Sequence, residues 1–192
     1  MKIMIRSFVC SVYLLAVCIA YPIQANDECL INHGLMDETP SLNNQTTINA
    51  GSIQVLSDAT LELRNGFEIK LEDLHVNGDQ AVFNENKKSI NEILNGFISG
   101  QNYVSKFEKG SINSLADEAV LESGEVLFRN RNIKFEFKEL KESTRDKFKI
   151  INTSFTSCAD TQKGWTVTAD EVQLNDESGR GILKNLKVKL FN

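Results

Sequence analysis

Apolar and polar residues alternate along most of the chain, and in four places the alternation slips by one residue. The clearest copy has apolar side chains at Trp165 and Val167 before Asp170, and at Val172 and Leu174 after it. Alternation with a period of two places apolar side chains on one face of a β-strand, and the extra residue requires a bend or a bulge. The pattern therefore predicts antiparallel strands that bend near their middle.

Three further copies of this pattern lie upstream, at intervals that lengthen along the chain. Their predicted bends are centred on residues 50–52, 78–80 and 116–118, and the clearest copy bends at 169–171. A solenoid needs a fixed period, so unequal intervals favour stacked hairpins of one sheet system.

Other segments predict turns or helix. Asn65-Gly66 predicts a two-residue hairpin turn, and the apolar spacing within 87–96 predicts a short helix or an irregular crossover. The dispersed glycines are interpreted as turn residues: Gly51, Gly66, Gly78, Gly96, Gly110 and Gly124.

The chain divides into three parts by composition. Residues 1–25 are predicted to be a cleaved signal peptide, with a basic start at Lys2 and Arg6 and an apolar core over 8–20. A lipoprotein signal that ends at Cys18 is the less favoured alternative. Residues 26–47 are polar and aperiodic, which predicts a flexible arm. Residues 48–192 are then one all-β domain, because Val, Ile, Phe and Thr alternate with polar residues over most of it.

Charge and hydropathy narrow the classes of partner. Without Lys2 and Arg6 the formal net charge of −5 becomes −7, and there is no basic cluster to bind nucleic acid. No later apolar run approaches the length of about 20 residues that a membrane helix needs, so the mature chain is expected to be soluble.

Residues that could carry catalysis are scarce. His33 and His75 are the only histidines, and neither accompanies a serine motif of the nucleophile-elbow type. Cys29 and His33 have a spacing that could clamp a metal ion with Cys158, but one pair without a second is a weak signal. The sequence therefore predicts no enzyme, no cofactor and no metal site.

A set of large apolar residues is predicted to share one face of the strands. This face is interpreted either as a packed core or as the lining of a space between two sheets that holds an apolar ligand. Its members are Leu61, Leu63, Phe67, Ile69, Phe83, Phe97, Phe107, Leu121, Phe128, Phe135, Phe137 and Phe155.

Two segments resemble a known family. The strands around Ala116-Asp117-Glu118 and Ala169-Asp170-Glu171 resemble the OstA-type domain of lipopolysaccharide (LPS) transport. The segment from Phe155-Thr156-Ser157-Cys158 to Gly164-Trp165, with Ser178-Gly179-Arg180-Gly181 and Asn185, is similar to the end of the periplasmic domain of the LptD family of LPS-assembly proteins. The resemblance covers residues 48–192.

This resemblance implies a β-jellyroll in the periplasm, associated with the outer membrane, that holds LPS acyl chains and continues a bridge of LptA-type jellyrolls. The implied lipid-lining residues are Leu61, Leu63, Phe83, Leu121, Phe135, Phe137 and Phe155. In the family the chain continues into an outer-membrane barrel with an LptE-type lipoprotein partner. This sequence would then be a truncated or split form, or an autonomous domain.

Two cysteines remain after the predicted signal peptide, Cys29 and Cys158. Taken alone, they are expected to form one disulfide within the domain, because exported proteins keep disulfides. The resemblance implies instead that both bond to cysteines of the barrel. As an alternative to lipid transport, the domain is a structural module with a packed core that joins partners by β-augmentation.

Overall fold

The computed structural model describes residues 46–71, 74–144, 147–158, 164–175 and 177–191. Regular structure within these ranges consists of twelve β-strands and one 3-10 turn, Arg129–Arg131. The strands are β1 Thr47–Ser57, β2 Thr60–Leu71, β3 Leu74–Gly78, β4 Gln80–Asn84, β5 Ser89–Ser99, β6 Tyr103–Asn113, β7 Glu118–Phe128, β8 Ile133–Thr144, β9 Lys147–Thr156, β10 Gly164–Asn175, β11 Arg180–Lys184 and β12 Lys187–Phe191. The predicted signal peptide lies outside these ranges, as does the predicted arm up to residue 45.

All twelve strands belong to one antiparallel sheet. The order is β1-β2-β3-β5-β6-β7-β8-β9-β10-β11, with β4 between β2 and β5 and with β12 paired to β10. β3 and β4 are two halves of one bent strand, since both pair with β2 and β5 on either side of Asp79. β11 and β12 likewise divide one edge at Asn185-Leu186. The all-β jellyroll of bent antiparallel strands is confirmed.

The bends of neighbouring strands line up across the sheet. We call this line the crease. The register between adjacent strands is interrupted there, by one position on each strand in most pairs and by Gly51 against Asn65-Gly66 between β1 and β2. The crease consists of Gly51, Asn65, Asp79, Asn95, Glu108, Ser123, Lys138, Asn152, Asp170 and Asn185.

Every second strand crosses the crease with a residue in the left-handed region. These residues are Asn65, Asn95, Ser123, Asn152 and Asn185, with φ between 47° and 62°. Asparagine tolerates this conformation better than most residues do. Two of them also donate side-chain hydrogen bonds to the neighbouring strand, Asn95 to Asp79 at 2.7 Å and Asn185 to Asp170 at 2.8 Å. Asn95 and Asn185 thus bend their own strand and bond the next one.

The crease divides the sheet into two leaves that face each other. The first leaf contains residues 47–50, 67–71, 74–78, 96–99, 103–107, 124–128, 133–137, 153–156, 164–168 and 187–191. The second leaf contains residues 52–57, 60–64, 80–84, 89–94, 109–113, 118–122, 139–144, 147–151, 171–175 and 180–184. One hydrophobic core, with buried side chains from both leaves, lies between them.

The leaves also meet at the strand ends farthest from the crease, which we call the margin. The Tyr103 hydroxyl of the first leaf donates to the Glu142 carboxylate of the second at 3.0 Å. The ring of Phe128 meets that of Phe148 at 4.9 Å in an edge-to-face contact. The core is therefore closed along both the crease and the margin in the middle of the sheet.

The predicted bends at 50–52, 78–80 and 169–171 coincide with crease positions Gly51, Asp79 and Asp170. The bend predicted at 116–118 is wrong, because residues 114–117 form the turn between β6 and β7. The backbone N–H of Ala116 bonds both the backbone carbonyl and the side-chain oxygen of Asn113, at 3.2 Å and 3.3 Å. This turn places the actual bend of β7 at Ser123.

Two further expectations are wrong for related reasons. Asn65-Gly66 does not close a hairpin, because its two positive φ angles produce the crease inside the continuous strand β2. Residues 87–96 hold no helix, since β5 begins at Ser89. A register shift between Ile90 and Ile93 puts both side chains in the core although they are three residues apart. A β-bulge therefore produced the spacing that resembled a helix.

All six glycines interpreted as turn residues are instead within strands. They are Gly51, Gly66, Gly78, Gly96, Gly110 and Gly124. A Cβ at Gly124 would collide with the carbonyl oxygen of Lys106, and one at Gly96 with the Phe107 ring. The absence of a side chain lets neighbouring strands and the Phe107 ring approach closely near the crease.

Candidate functional site

All seven predicted lining residues belong to or pack against the same core. Leu63, Phe83 and Leu121 of the second leaf are fully buried, and Phe135 and Phe137 of the first leaf are at most 5 % exposed. Leu61 and Phe155 are partly buried and pack against these residues.

The other residues of the predicted apolar set are also buried in this core, with one exception. Phe97 is absent from the core and pairs with Asn77 and Lys106 on the outer face, while its neighbour Ile98 points inward and is buried. Many other core residues lie outside the predicted set. They include Val76, Ile90, Ile93, Val126, Leu140 and Ile150.

An aromatic row runs along the inner face of the first leaf, one ring from each of four adjacent strands. It consists of Phe128, Phe135, Phe155 and Trp165, with successive ring centroids 5.7, 4.8 and 6.1 Å apart. The rings become less buried from Phe128, which is inaccessible, to the half-buried Phe155 and Trp165. The row therefore leads from the closed centre of the core toward β12.

The inner face continues onto both edges of the sheet, where its apolar residues are exposed. At one edge Val188 and Leu190 pair with Val167 and Trp165, and they are 58 % and 75 % exposed. Directly paired residues point to the same face of a sheet. The apolar inner face is thus uncovered at β12.

The other edge shows the same feature on the second leaf. Ile53 and Val55 of β1 pair with Leu63 and Leu61, and they are 50 % and 69 % exposed. In the part of the chain that is described, β1 pairs only with β2. The core is therefore enclosed along its length and open at two ends, each of which is bounded by an unpaired strand edge.

Two grooves lie outside the closed part of the core. One of about 880 Å³ follows the crease and is lined by residues that include Lys106, Glu108, Lys138 and Asn152. A second of about 500 Å³, which we call the β12 groove, is lined by Cys158, by the lysines Lys134, Lys187 and Lys189, and also by Phe155 and Val188 from the open end of the inner face. The interior, by contrast, is filled by the chain's own side chains.

Cys158 lies just beyond the end of β9. It is 3 % exposed and disulfide-bonded, and its backbone N–H donates to the Thr156 hydroxyl at 3.0 Å. That hydroxyl donates to the backbone carbonyl of Trp165 at 2.6 Å, so the Thr-Ser-Cys segment is fastened to β10. Cys29 and His33 lie outside the described residues, and so does the pairing predicted for Cys29.

No further chemistry is evident in the described ranges. His75 contacts Glu68, with 2.9 Å between Nε2 and Oε1, and Glu68 also bonds Asn49 and Lys70. No cluster of three or more His, Cys, Asp or Glu side chains in these ranges could hold a metal ion. The same ranges contain no helix that is long and apolar enough to span a membrane.

An ion-pair network ties β11 and β9 to β10 beside the crease. Glu171 bonds Lys184 and Gln173, each at 2.7 Å, and contacts Lys149 at 3.3 Å. Chiefly through the Lys184 bond, and then through Gln173 and Lys149, these partners lower the pKa of Glu171 to about 2. The carboxylate therefore stays charged in the folded protein far below the pKa of 4.5 of a free glutamate.

Glu171→Gln is expected to increase hydrogen exchange of the β11 backbone amides at neutral pH, because β11 loses its ionic contact to β10. A lowered pKa stabilises the fold above the unfolded value of 4.5, and this contribution disappears as the pH falls from there toward 2. The difference between the variant and the wild type should shrink over that window. Equal exchange of β11 in both proteins at pH 7 would show that the network contributes nothing.

No known protein family and no curated protein matches the sequence. Among solved structures, the chain is similar to LptH of Pseudomonas aeruginosa, the LptA-homologous periplasmic component of a conserved lipopolysaccharide transport device. The likeness has a TM-score of 0.32 and 10 % identity, over 80 % of this chain and 99 % of that one. It is too distant to assign a function.

Proposed function

We propose that this chain is a non-enzymatic module of LPS transport and assembly at the outer membrane. Its jellyroll would hold LPS acyl chains and continue a periplasmic bridge of similar domains. The observation that carries the proposal is the inner face, whose aromatic row leads from buried Phe128 to exposed Val188 and Leu190. The resemblance of the Thr-Ser-Cys to Trp segment to the LptD family supports LPS as the lipid.

Moving a lipid along such a surface requires no bond to be made or broken. Acyl chains are stabilised out of water by about 25 cal/mol for each Å² of apolar surface that is buried. An unbroken apolar path gives neighbouring positions similar energies, so that a chain slides without a large barrier. The open ends at β1 and β12 are where an acyl chain passes between this domain and the next.

The same two ends could pair with strands of the proposed protein partners. Among the described residues, β1 pairs only with β2, and β11 and β12 pair only with β10, so these edges offer backbone groups to a strand of an LptA-type jellyroll. Pairing there would join the apolar inner faces of the two proteins. An outer-membrane barrel with its LptE-type lipoprotein is the proposed destination at the far end of the bridge.

A packed structural module is the second candidate, and a specific observation favours it. Five of the seven proposed lining residues are at most 5 % exposed in this chain by itself. Their space is filled, so acyl chains would have to displace side chains or separate the leaves at the margin. In the second candidate the edges join partners and no lipid enters.

Photo-crosslinking distinguishes these two functions. A photoreactive phenylalanine at Phe155 is expected to form an LPS adduct in the periplasm, because Phe155 is half-buried within the aromatic row. Phe97 is the matched control, since it is also half-buried in the first leaf but on the outer face. No adduct at Phe155, or equal adducts at both positions, would support the packed module instead.

We further propose that Cys29 is the partner of Cys158 when no barrel polypeptide is present, and that a barrel supplied separately would capture both. Cys158 is disulfide-bonded, and Cys10 and Cys18 fall in the predicted signal peptide. Peptide mapping of non-reduced periplasmic protein tests the pairing, which two free thiols would contradict.

A further inference from the structure

We propose that the acidic arm of residues 26–45 runs along the margin of the first leaf and docks in the β12 groove beside Cys158. The proposal rests on the pairing of Cys29 with Cys158 given above and does not require that LPS binds. It assigns to this groove an occupant from the same chain, recognised by charge.

The topology places both attachment points of the arm on one margin. Thr46 precedes β1, which begins in the first leaf, and Cys158 follows β9, which ends in the first leaf. The order of strands there is β1, β2, β3, β5, β6, β7, β8, β9. Seven steps of about 4.8 Å make a separation of roughly 34 Å.

The arm can cover this separation only when it is largely extended. Cys29 lies 17 residues before Thr46. Seventeen residues span about 56 Å when fully extended, whereas a flexible coil of that length has an r.m.s. reach of about 25 Å. The disulfide is thus within reach, but a free coil would seldom bring the two sulfurs together. Favourable contacts along the path would raise that frequency.

Charge provides such contacts at the β12 groove. Its lining has three lysines, Lys134, Lys187 and Lys189, and one carboxylate, Glu136, which accepts a hydrogen bond from Ser154 at 3.2 Å. Lys134 also pairs with Glu125, which lies outside the groove, at 2.6 Å.

The arm carries the opposite charge next to its cysteine. Asp27 and Glu28 immediately precede Cys29, Asp37 and Glu38 follow, and residues 26–45 contain no lysine or arginine. With Cys29 bonded to Cys158 in the groove wall, Glu28 and Asp27 are one and two residues from that bond. Their attraction to Lys187 and Lys189 would steer the two thiols together.

The test measures how fast the reduced, exported full chain re-forms its disulfide in a glutathione buffer. Reversing the groove charge with Lys187→Glu and Lys189→Glu is expected to slow the reaction about fivefold at low ionic strength, as two exposed charge pairs would. The difference should fade in high salt, because exposed charges are screened. Adding Asp27→Lys and Glu28→Lys to the groove variant should restore the wild-type rate.

The matched control is Lys109→Glu with Lys141→Glu, which makes the same change in net charge on the outer face of the second leaf. An equal slowing in the control, or none in the groove variant, would overturn the docking proposal. Peptide mapping of each product separates this from a failure of the pairing itself. If the groove variant does not fold, Asp27→Lys with Glu28→Lys alone must show the slowing, since those residues precede the sheet.

Discussion

Phe128→Ala is expected to lower the free energy of unfolding by about 4 kcal/mol, the usual size for a buried phenylalanine. Phe128 is inaccessible to solvent, and its ring contacts those of Tyr103, Phe135 and Phe148. Phe148 belongs to the opposite leaf, so the cavity would open where the two leaves meet at the margin. Urea unfolding followed by circular dichroism measures the change.

Phe97→Ala is the matched control for this substitution, because Phe97 lies on the outer face and outside the core. Its loss should be about 1 kcal/mol, in line with ordinary partly exposed positions. Equal losses in the two variants would mean that the assignment of inner and outer faces is wrong. The cavity in Phe128→Ala has about the size of the deleted ring, so benzene should recover part of the lost stability when it binds.

Gly124→Ala is expected to destabilise the fold by about 3 kcal/mol, the upper end of the usual range for overpacking. The added Cβ would collide with the carbonyl oxygen of Lys106 and crowd the backbone of Phe107. Backbone atoms in a paired strand cannot move aside without breaking the pairing of β6 with β7. The same urea unfolding experiment measures the loss.

Gly181→Ala is the control, since the nearest atoms to its added Cβ are at ordinary contact distances of 3.8 and 3.9 Å. Replacing glycine with alanine in an open strand should be nearly neutral or slightly stabilising, because it restricts the unfolded chain. If Gly124→Ala were as harmless as Gly181→Ala, close strand approach at the crease would not be needed for folding.

The alternation of apolar and polar residues was sufficient to predict the fold class and most of the interior. Ile133, Phe135 and Phe137 alternate with Lys134, Glu136 and Lys138 in β8, and the structure places the first set inward. Local patterning succeeds here because the period of two determines which side chains share a face. The faces were predicted correctly wherever a strand lacked an internal bulge.

The crease was only partly predictable, although a signal for it exists. Gly96, Gly110 and Gly124 recur every 14 residues, and Lys138 and Asn152 continue that spacing along the crease. One strand together with the following turn takes up about this many residues. Residues at this interval therefore lie at nearly the same distance from the ends of successive strands. It was missed because glycine and asparagine are also the usual residues of turns.

The bend predicted at 116–118 illustrates why one motif can have two outcomes. The Ala-Asp-Glu sequence occurs there and at 169–171, yet the first copy is at a turn and the second at the crease. Whether a copy falls at a turn or at the crease depends on how many residues separate it from the preceding crease position. That separation is determined by the register of the whole sheet. One copy read in isolation does not contain that information.

Exposure at the sheet edges also depends on tertiary context. Val188 and Leu190 have the same alternation as buried residues, and they are exposed only because β12 has no further strand beside it among the described residues. The register of β12 against β10 puts these residues on the same face as Val167 and Trp165. Whether that face is covered depends on the position of β12 in the strand order.

The two edges differ in charge, which gives any chain of such domains a direction. β1 contains no charged residue, whereas Arg180, Lys184, Lys187 and Lys189 lie in β11 and β12. Two cationic edges repel each other, so the cationic edge favours an unlike neighbour. Contacts between unlike edges do not close into a symmetric dimer, and they continue until another protein terminates the series. The length of the assembly would therefore be determined by its end partners, and its polarity by this domain.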